Sequence, residues 1–95
     1  MIKIIRNRRT GKTTELIEIS HKTGYYIVCL SQYECSCVAA YATVLGLNIP
    51  FPLSFDEFIS GAYYATGVKG VLIDNIDMLV ERISKVPIGA ITLRT

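Results

Sequence analysis

The sequence predicts an α/β fold, a three-layer α-β-α sandwich around a five-stranded, mainly parallel sheet. Five strand-like segments alternate with four helical segments along the 95 residues, which is the order expected when helices connect parallel strands. The segment 25–30 is a continuous apolar run, typical of a parallel strand covered on both faces. Because no repeat or low-complexity stretch divides the chain, we expect residues 1–95 to form a single domain.

The first elements form a strand, a helix and a second strand. The segment 2–5 is short, β-branched and apolar, which predicts the first strand. Apolar and polar residues then mix with helical spacing over 12–22, and Gly24 is suited to the position that ends a helix. The apolar run 25–30 predicts the second strand.

The second and third helices carry their own start signals. Ser31 with Glu34, and Ser54 with Glu57, have the spacing of the S-x-x-E capping box. We expect the first of these helices to run to about residue 45, with Gly46 ending it. The second opens the segment after 54, in which apolar residues recur at helical spacing.

The remaining elements are three strands and the fourth helix. The segment 49–53 contains two prolines, so we expect an edge or irregular strand there. A strand is predicted at 68–74 and the last one at 87–93. Between them, residues 75–84 form a helical pattern in which Ile76, Leu79, Val80 and Ile83 face inward.

A basic stretch between the first predicted strand and helix has the pattern of a phosphate-binding loop. Gly11, Lys12 and Thr13 match the second half of G-x-x-x-x-G-K-[ST], in which backbone N–H groups surround a phosphate, the lysine reaches the β/γ-phosphates and the hydroxyl binds Mg²⁺. Arg6 stands where the first glycine belongs, and a side chain there makes the backbone turn costly. The alternative is a basic turn before an ordinary helix. The expected nucleotide-binding residues are Arg6, Arg8, Arg9, Thr10, Gly11, Lys12, Thr13 and Thr14, with Thr13 also a Mg²⁺ ligand.

An acid ends the predicted strand 68–74, in the pattern of a Walker B motif. A carboxylate at such a strand tip holds Mg²⁺ directly or through water, so Asp74 is the second candidate metal ligand. Alternatively, Asp74 only caps the following helix. Asn75 follows in the position where hydrolytic proteins of this class usually have a glutamate, and an amide can orient water but cannot accept its proton. We therefore expect Lys12, Asp74 and Asn75 to be the catalytic residues, and any hydrolysis to be slow.

With both motifs in place, the chain resembles a minimal P-loop NTPase, or RecA-like, core. It is similar to the first core domain of superfamily-one helicases and other ASCE-type ATPases in the segments TGKTT, YYIVCLSQ, SFDEF and VLIDNID. It also resembles short phage and prophage proteins with an R-x-R-x-x-GKTTELI start, an NIPFP-[IL]-[ST]-FDEF middle and a VPI-x-AIT end. The resemblance implies ATP and Mg²⁺ as ligands and a phage or bacterial cytoplasm, but not a motor, because a helicase needs a second core domain. Relatives often have glycine where Arg9 stands, so Arg9 either fills the anion site or adds a phosphate contact.

Charge and composition favour an anionic ligand. Five of the ten basic residues lie in the first twelve positions, which leaves five basic against eight acidic residues and a net charge of −3 for the rest of the chain. This concentration suits a nucleoside triphosphate or nucleic acid. The apolar runs are too short for a membrane span, and three closely spaced cysteines do not suggest a secreted disulfide framework. We expect a cytoplasmic protein without membrane contact.

Two other functions stay open at this stage. The chain could be a phage accessory or anti-defence protein that uses an inactive P-loop fold to bind a host or phage protein, with interface tyrosines at Tyr25, Tyr26, Tyr33, Tyr63 and Tyr64. It could instead bind nucleic acid through the basic loop. Near the predicted last strand, Thr92 and Arg94 could sense the γ-phosphate. An oligomer could place Arg82 or Arg94 against the phosphate of a neighbouring subunit.

Overall fold

The computed structural model describes residues 11–61, 67–84, 86, 89 and 90. Over these residues the chain has four helices and three strands and is therefore mixed α/β. In chain order they are α1 Gly11–Thr23, β1 Tyr26–Cys29, α2 Gln32–Leu45, β2 Leu53–Ser54, α3 Phe55–Ser60, β3 Val71–Ile73 and α4 Ile76–Ile83.

The three strands form one parallel sheet with β1 in the centre, in the order β2-β1-β3. The prediction of a five-stranded α-β-α sandwich of the RecA type is wrong, since the sheet in the described residues has three strands. The predicted first strand, 2–5, lies outside the described residues. Of the predicted last strand, 87–93, only Gly89 and Ala90 are described, and neither is in a strand. Glycine in a strand interior weakens the strand, as at Gly89.

The predicted strand 49–53 is reduced to the two residues of β2 at the edge of the sheet. Its prolines at 50 and 52 have no N–H to donate to a neighbouring strand. Pairing therefore begins only after the second proline, where Leu53 and Ser54 align with Val28 and Cys29 of β1. The prediction that this segment is an edge strand is confirmed.

Side chains of β1 alternate between the two faces of the sheet. Ile27 and Cys29 belong to a buried cluster with residues of α1 and α2, whereas Val28 belongs to a second cluster with Phe55 and Leu79. Helices α1 and α2 thus cover one face of the sheet, which we call face A, and α3 and α4 cover the opposite face B. Ile27, Val28 and Cys29 are almost fully buried, as the apolar run predicts.

The predicted capping box is confirmed in full at α3 and in its serine half at α2, and the predicted end of α2 is confirmed. Ser31 Oγ accepts a hydrogen bond from the Glu34 N–H at 3.4 Å. At α3 the capping box is complete, because the Glu57 N–H donates to Ser54 Oγ at 3.2 Å and the Ser54 N–H donates to Glu57 Oε1 at 2.9 Å. Gly46 ends α2 in the left-handed conformation with φ 74°, which favours glycine.

Helix α4 agrees with its predicted pattern except at its last residue. Leu79 is buried in the face B core, and Ile76 and Val80 are half-buried. Ile83, predicted to face inward, is 59% exposed. Ile83 is the last residue of α4, so the prediction of an inward-facing side chain is wrong at the end of this helix.

Within the described part of the chain, none of the helices is both long enough and apolar enough to cross a membrane.

Candidate functional site

The carboxyl ends of the three parallel strands meet at one edge of the sheet. After β1, Ser31 begins α2, which packs on face A. After β3, Asp74 and Asn75 lead into α4, which packs on face B. The neighbouring strands β1 and β3 therefore send their next helices to opposite faces. In open α/β sheets, ligands bind at such a switch point, in the crevice outside the carboxyl ends of the strands.

Asp74 stands beside this crevice. Its N–H donates to the Val28 carbonyl at 3.1 Å, which continues the pairing of β3 with β1 past Ile73. Because side chains alternate along a strand, Asp74 shares its face with Leu72, which packs against the face A core. Burial, and after it the charges of Cys35 and Asp74, raise the pKa of Cys29, a face A residue at the end of β1. The carboxylate therefore lies on face A, and its Oδ1 is buried.

The first turn of α1 is directed to the same edge. Near the other end of the helix, the Ser20 hydroxyl donates to the Tyr25 carbonyl, just before β1, at 2.6 Å. Ile17 packs with Ile27 and Cys29 farther along β1. Helix α1 thus runs antiparallel to β1, and its 13 residues span about 20 Å. Its start at Gly11 points towards the edge at which β1 and β3 end.

Helix α1 covers β1 on face A beside α2. Helix α2 packs against both β1 and β2. Helix α1 lies next to α2 against β1, and Leu72 of β3 joins the same buried cluster. The first turn of α1 and the Asp74 carboxylate therefore approach the crevice from the same face of the sheet.

The predicted phosphate-binding residues fall into two groups. Arg6, Arg8, Arg9 and Thr10 lie outside the described residues. The backbone of Gly11 and Lys12 forms the start of α1, and Thr13 is half-buried in the same turn. The Thr14 hydroxyl lies 3.1 Å from the Tyr41 hydroxyl, so Thr14 contacts α2.

Asn75, and not Asp74, is the N-cap residue of α4. It has φ 58° and ψ 61°, and it is the one non-glycine residue with positive φ in the described part of the chain. Its carbonyl accepts hydrogen bonds from the N–H groups of Met78 and Leu79 at 3.0 and 3.2 Å. Asparagine tolerates this left-handed conformation better than most residues. The N-cap position that the alternative interpretation gives to Asp74 is therefore occupied by Asn75.

Sequence reasoning missed a pair of buried thiols next to Asp74. Cys29 and Cys35 lie in the same buried cluster, whereas Cys37 is exposed. Burial, followed by the charges of Cys35 and Asp74, raises the pKa of Cys29 to about 12. Burial also raises the pKa of Cys35. Since the thiolate is the reactive form, neither buried thiol is a nucleophile at neutral pH.

The other predicted site residues lie away from the carboxyl edge of the sheet or outside the described residues. Arg82 Nη2 is 3.7 Å from Oδ2 of Asp56 in the same chain, an exposed pair between α4 and α3. Thr92 and Arg94 lie outside the described residues. No three His, Cys, Asp or Glu side chains gather into a metal-binding group in the described part of the chain.

Comparison with known proteins adds no family. No protein-family model, no curated protein and no solved structure matches the chain. The class of the described part of the chain is mixed α/β, with a candidate site at the carboxyl edge of its parallel sheet.

Proposed function

We propose that the protein binds a magnesium nucleoside triphosphate, ATP, in the crevice between the carboxyl ends of β1 and β3. Lys12 contacts the β- and γ-phosphates, and backbone N–H groups at 10–13 surround the phosphate. Asp74 and the Thr13 hydroxyl hold Mg²⁺. Hydrolysis is weak or absent.

The main support for this proposal is that the start of α1 and Asp74 lie on the same face at the carboxyl edge of the sheet. The G-K-T sequence begins α1, whose start points towards the carboxyl edge on face A. Asp74 lies at that edge on the same face. A helix start favours an anion, since its N–H groups and its dipole both point towards the ligand. A lysine and a carboxylate there complement a phosphate and its metal ion.

The oxygen ligands fit magnesium. Mg²⁺ is usually held by one or two carboxylates together with water and substrate phosphates, rather than by a cage of protein side chains. Asp74 supplies a carboxylate with one buried oxygen, and Thr13 supplies a half-buried hydroxyl. A bound Mg²⁺ would neutralise charge on the phosphates, while Lys12 would orient them.

Two departures from the parent motifs support slow chemistry. Arg6 replaces the glycine that usually opens the loop, so the phosphate cradle carries an extra side chain. Asn75 follows Asp74 in place of the usual glutamate, and an amide cannot accept the proton of an attacking water. Its left-handed backbone is part of the start of α4, so replacing it with glutamate alone would strain that turn.

The proposal places the protein in the cytoplasm of a bacterium that carries a phage or prophage. The resemblance to short phage proteins supports that origin. All three cysteines are free, and the cytoplasm is the compartment in which free thiols persist.

Calorimetric titration of Mg²⁺-ATP tests the proposal on the wild type, Lys12→Ala and Lys22→Ala. Lys22 is the matched control because it lies in the last turn of the same helix and its removal changes net charge equally. Hydrogen bonds to a charged group contribute about 1.5–3 kcal/mol, so we expect Lys12→Ala to weaken binding about 10- to 100-fold. Lys22→Ala should bind like the wild type. Equal binding by Lys12→Ala and the wild type would exclude the proposed site.

Phosphate release from the same three samples separates a binding protein from an enzyme. We expect ATP to bind with little or no release of phosphate, because the water-activating glutamate is replaced. Rapid turnover that disappears in Lys12→Ala would keep the site but contradict the expectation of weak hydrolysis.

A further inference from the structure

Helix α2 exposes an apolar face on the outside of the molecule. Tyr33 is 77% exposed and Val44 is 80% exposed. Residues between them continue the same side of the helix at intervals of three and four positions, which places them in one row. We call this row the α2 stripe; it consists of Tyr33, Ser36, Cys37, Ala40, Tyr41 and Val44, all exposed.

The solvent side of α2 carries no charge. Glu34 is the one charged residue among the 14 of α2, and it is half-buried. A helix at the surface of a soluble protein normally has charged residues opposite its buried face, and a helix that is apolar all round is normally buried. The outer face of α2 therefore has the composition of a covered surface.

We propose that the α2 stripe pairs with the same stripe of a second copy of the chain, antiparallel across a twofold axis. Such an isologous interface must be complementary to itself. An axis midway along the stripe brings Tyr33 of each copy next to Val44 of the other. The small residues Cys37 and Ala40 then meet in the middle, where they let the helices approach closely.

Charge favours a second copy over other partners. The face has no basic residues for a nucleic acid or an anionic membrane, and no charges with which to select a charged protein. Two identical uncharged faces meet without the like-charge repulsion that usually opposes self-association. Within the stripe, the Tyr41 hydroxyl lies 3.1 Å from the Thr14 hydroxyl, a contact that restricts the side chain, so less conformational entropy is lost on binding.

The area of the stripe predicts a weak, reversible dimer. The 14 residues of α2 span about 21 Å, and a helix is about 10–12 Å wide. The face of one such helix is far smaller than the roughly 800 Å² per partner that standard-size interfaces bury. We therefore expect monomer and dimer to exchange as the protein concentration changes.

Sedimentation equilibrium tests the proposal with Ala40→Glu and the matched control Ile59→Glu. Ala40 lies in the centre of the stripe, whereas Ile59 is 48% exposed on α3, which covers the opposite face of the sheet. We expect the wild type and Ile59→Glu to show a rising dimer fraction up to protein concentrations of about 1 mM. The association constant of Ala40→Glu should fall at least tenfold, because two buried glutamates would repel each other. Circular dichroism confirms that the variants fold.

The arrangement of the two copies is tested by mild oxidation with diamide, which takes two electrons and two protons from a pair of thiols as the disulfide forms. Cys37 is the chain's one exposed cysteine and should join two copies near the axis. In a Cys37→Ser background, Tyr33→Cys or Val44→Cys alone should not cross-link, since 11 residues separate equivalent positions by about 16 Å along the helix. A mixture of the two variants should cross-link.

Three results would overturn the proposal. The first is a wild type that remains monomeric at about 1 mM. The second is a dimer that Ala40→Glu does not weaken, since association would then use another surface. The third is flotation of the wild type with neutral phosphatidylcholine vesicles, lost in Ala40→Glu, which would assign the stripe to a membrane surface.

Discussion

Gly70 lies under the ring of Tyr25 just before β3, and we expect Gly70→Ala to destabilise the fold through that ring. A Cβ atom on residue 70 would lie 2.6 Å from Cε2 of Tyr25, 2.8 Å from Cζ and 2.9 Å from Cδ2. The backbone is held in place because the Gly70 carbonyl accepts a hydrogen bond from the Tyr26 N–H at 3.2 Å. Tyr25 is 36% exposed, so its ring can turn outward and lose its packing.

The expected loss is the difference between two effects. Overpacking costs about 1–3 kcal/mol, and a ring that can move towards solvent favours the lower half of that range. Alanine restricts the unfolded chain more than glycine does, and this stabilises the folded state by about 0.4–1 kcal/mol. We therefore expect Gly70→Ala to lower the free energy of unfolding by about 1 kcal/mol, which corresponds to a fall in Tm of about 4–8 °C for a domain of this size.

Urea denaturation of four proteins separates the two effects. They are the wild type, Gly70→Ala, Tyr25→Ala and the double variant, which together form a double-mutant cycle. Once the ring is absent, Gly70→Ala should be neutral or slightly stabilising. An equal loss in the presence and absence of the Tyr25 ring would refute the reasoning, because the cost would then come from the backbone.

Three further predictions concern the core, a helix cap and a buried thiol. Phe55 is fully buried, so Phe55→Ala should lower the free energy of unfolding by about 3–5 kcal/mol. Phe55→Leu should lower it much less. Equal losses for the two variants in urea denaturation would contradict the packing of Phe55 in the core. Ser54→Ala removes one half of the α3 capping box and should lower the free energy of unfolding by about 0.5–2 kcal/mol. The control is Ser60→Ala at the other end of α3, which should lower it less. The pKa of Cys29 is raised from 9.0 to about 12, so the unfolded state loses this proton first and stability should fall between these pH values, by about 1.4 kcal/mol per pH unit for this group. Urea denaturation of the wild type and Cys29→Ala over that pH range should show a steeper fall for the wild type, and parallel curves would contradict the burial of the thiol.

The helix ends were predictable because their signals are local. A serine followed three residues later by glutamate satisfies N–H groups within one turn, and this fixes the starts of α2 and α3. Gly46 ends α2 for an equally local reason, its left-handed backbone. The strand β1 was predictable because it is buried on both faces and is apolar throughout.

The extent of the sheet was not predictable in the same way. Pairing depends on contacts far apart in the sequence, so an apolar segment such as 49–53 does not reveal that only Leu53 and Ser54 pair with β1. The left-handed Asn75 also gave no signal, because a cap usually has extended backbone. The Cys29–Cys35 pair depends on how the end of β1 meets the first turn of α2, which residue spacing alone does not indicate.

The chemistry of the candidate site is a prediction from the sequence, whereas the position of its residues depends on the fold. The G-K-T sequence and Asp74 suggested phosphate and metal ligands from residue types alone. Their approach to one crevice depends on the parallel order of β1 and β3 and on α1 covering face A. The tyrosines predicted at an interface show how little the sequence says about exposure. Tyr33 is exposed, whereas Tyr26 is partly buried. Tyr63 and Tyr64 lie outside the described residues.

The most direct test of the proposed site is the magnesium dependence of ATP binding in Asp74→Asn, with Asp56→Asn as the matched control. Asp56 is an exposed acid on α3, so both variants lose one negative charge. We predict that calorimetric titration with and without Mg²⁺ shows tighter binding with the metal for the wild type and Asp56→Asn. Asp74→Asn should lose that dependence, because an amide is a weaker ligand for Mg²⁺ than a carboxylate. An unchanged magnesium dependence in Asp74→Asn would contradict a metal-nucleotide site at the carboxyl edge of β3.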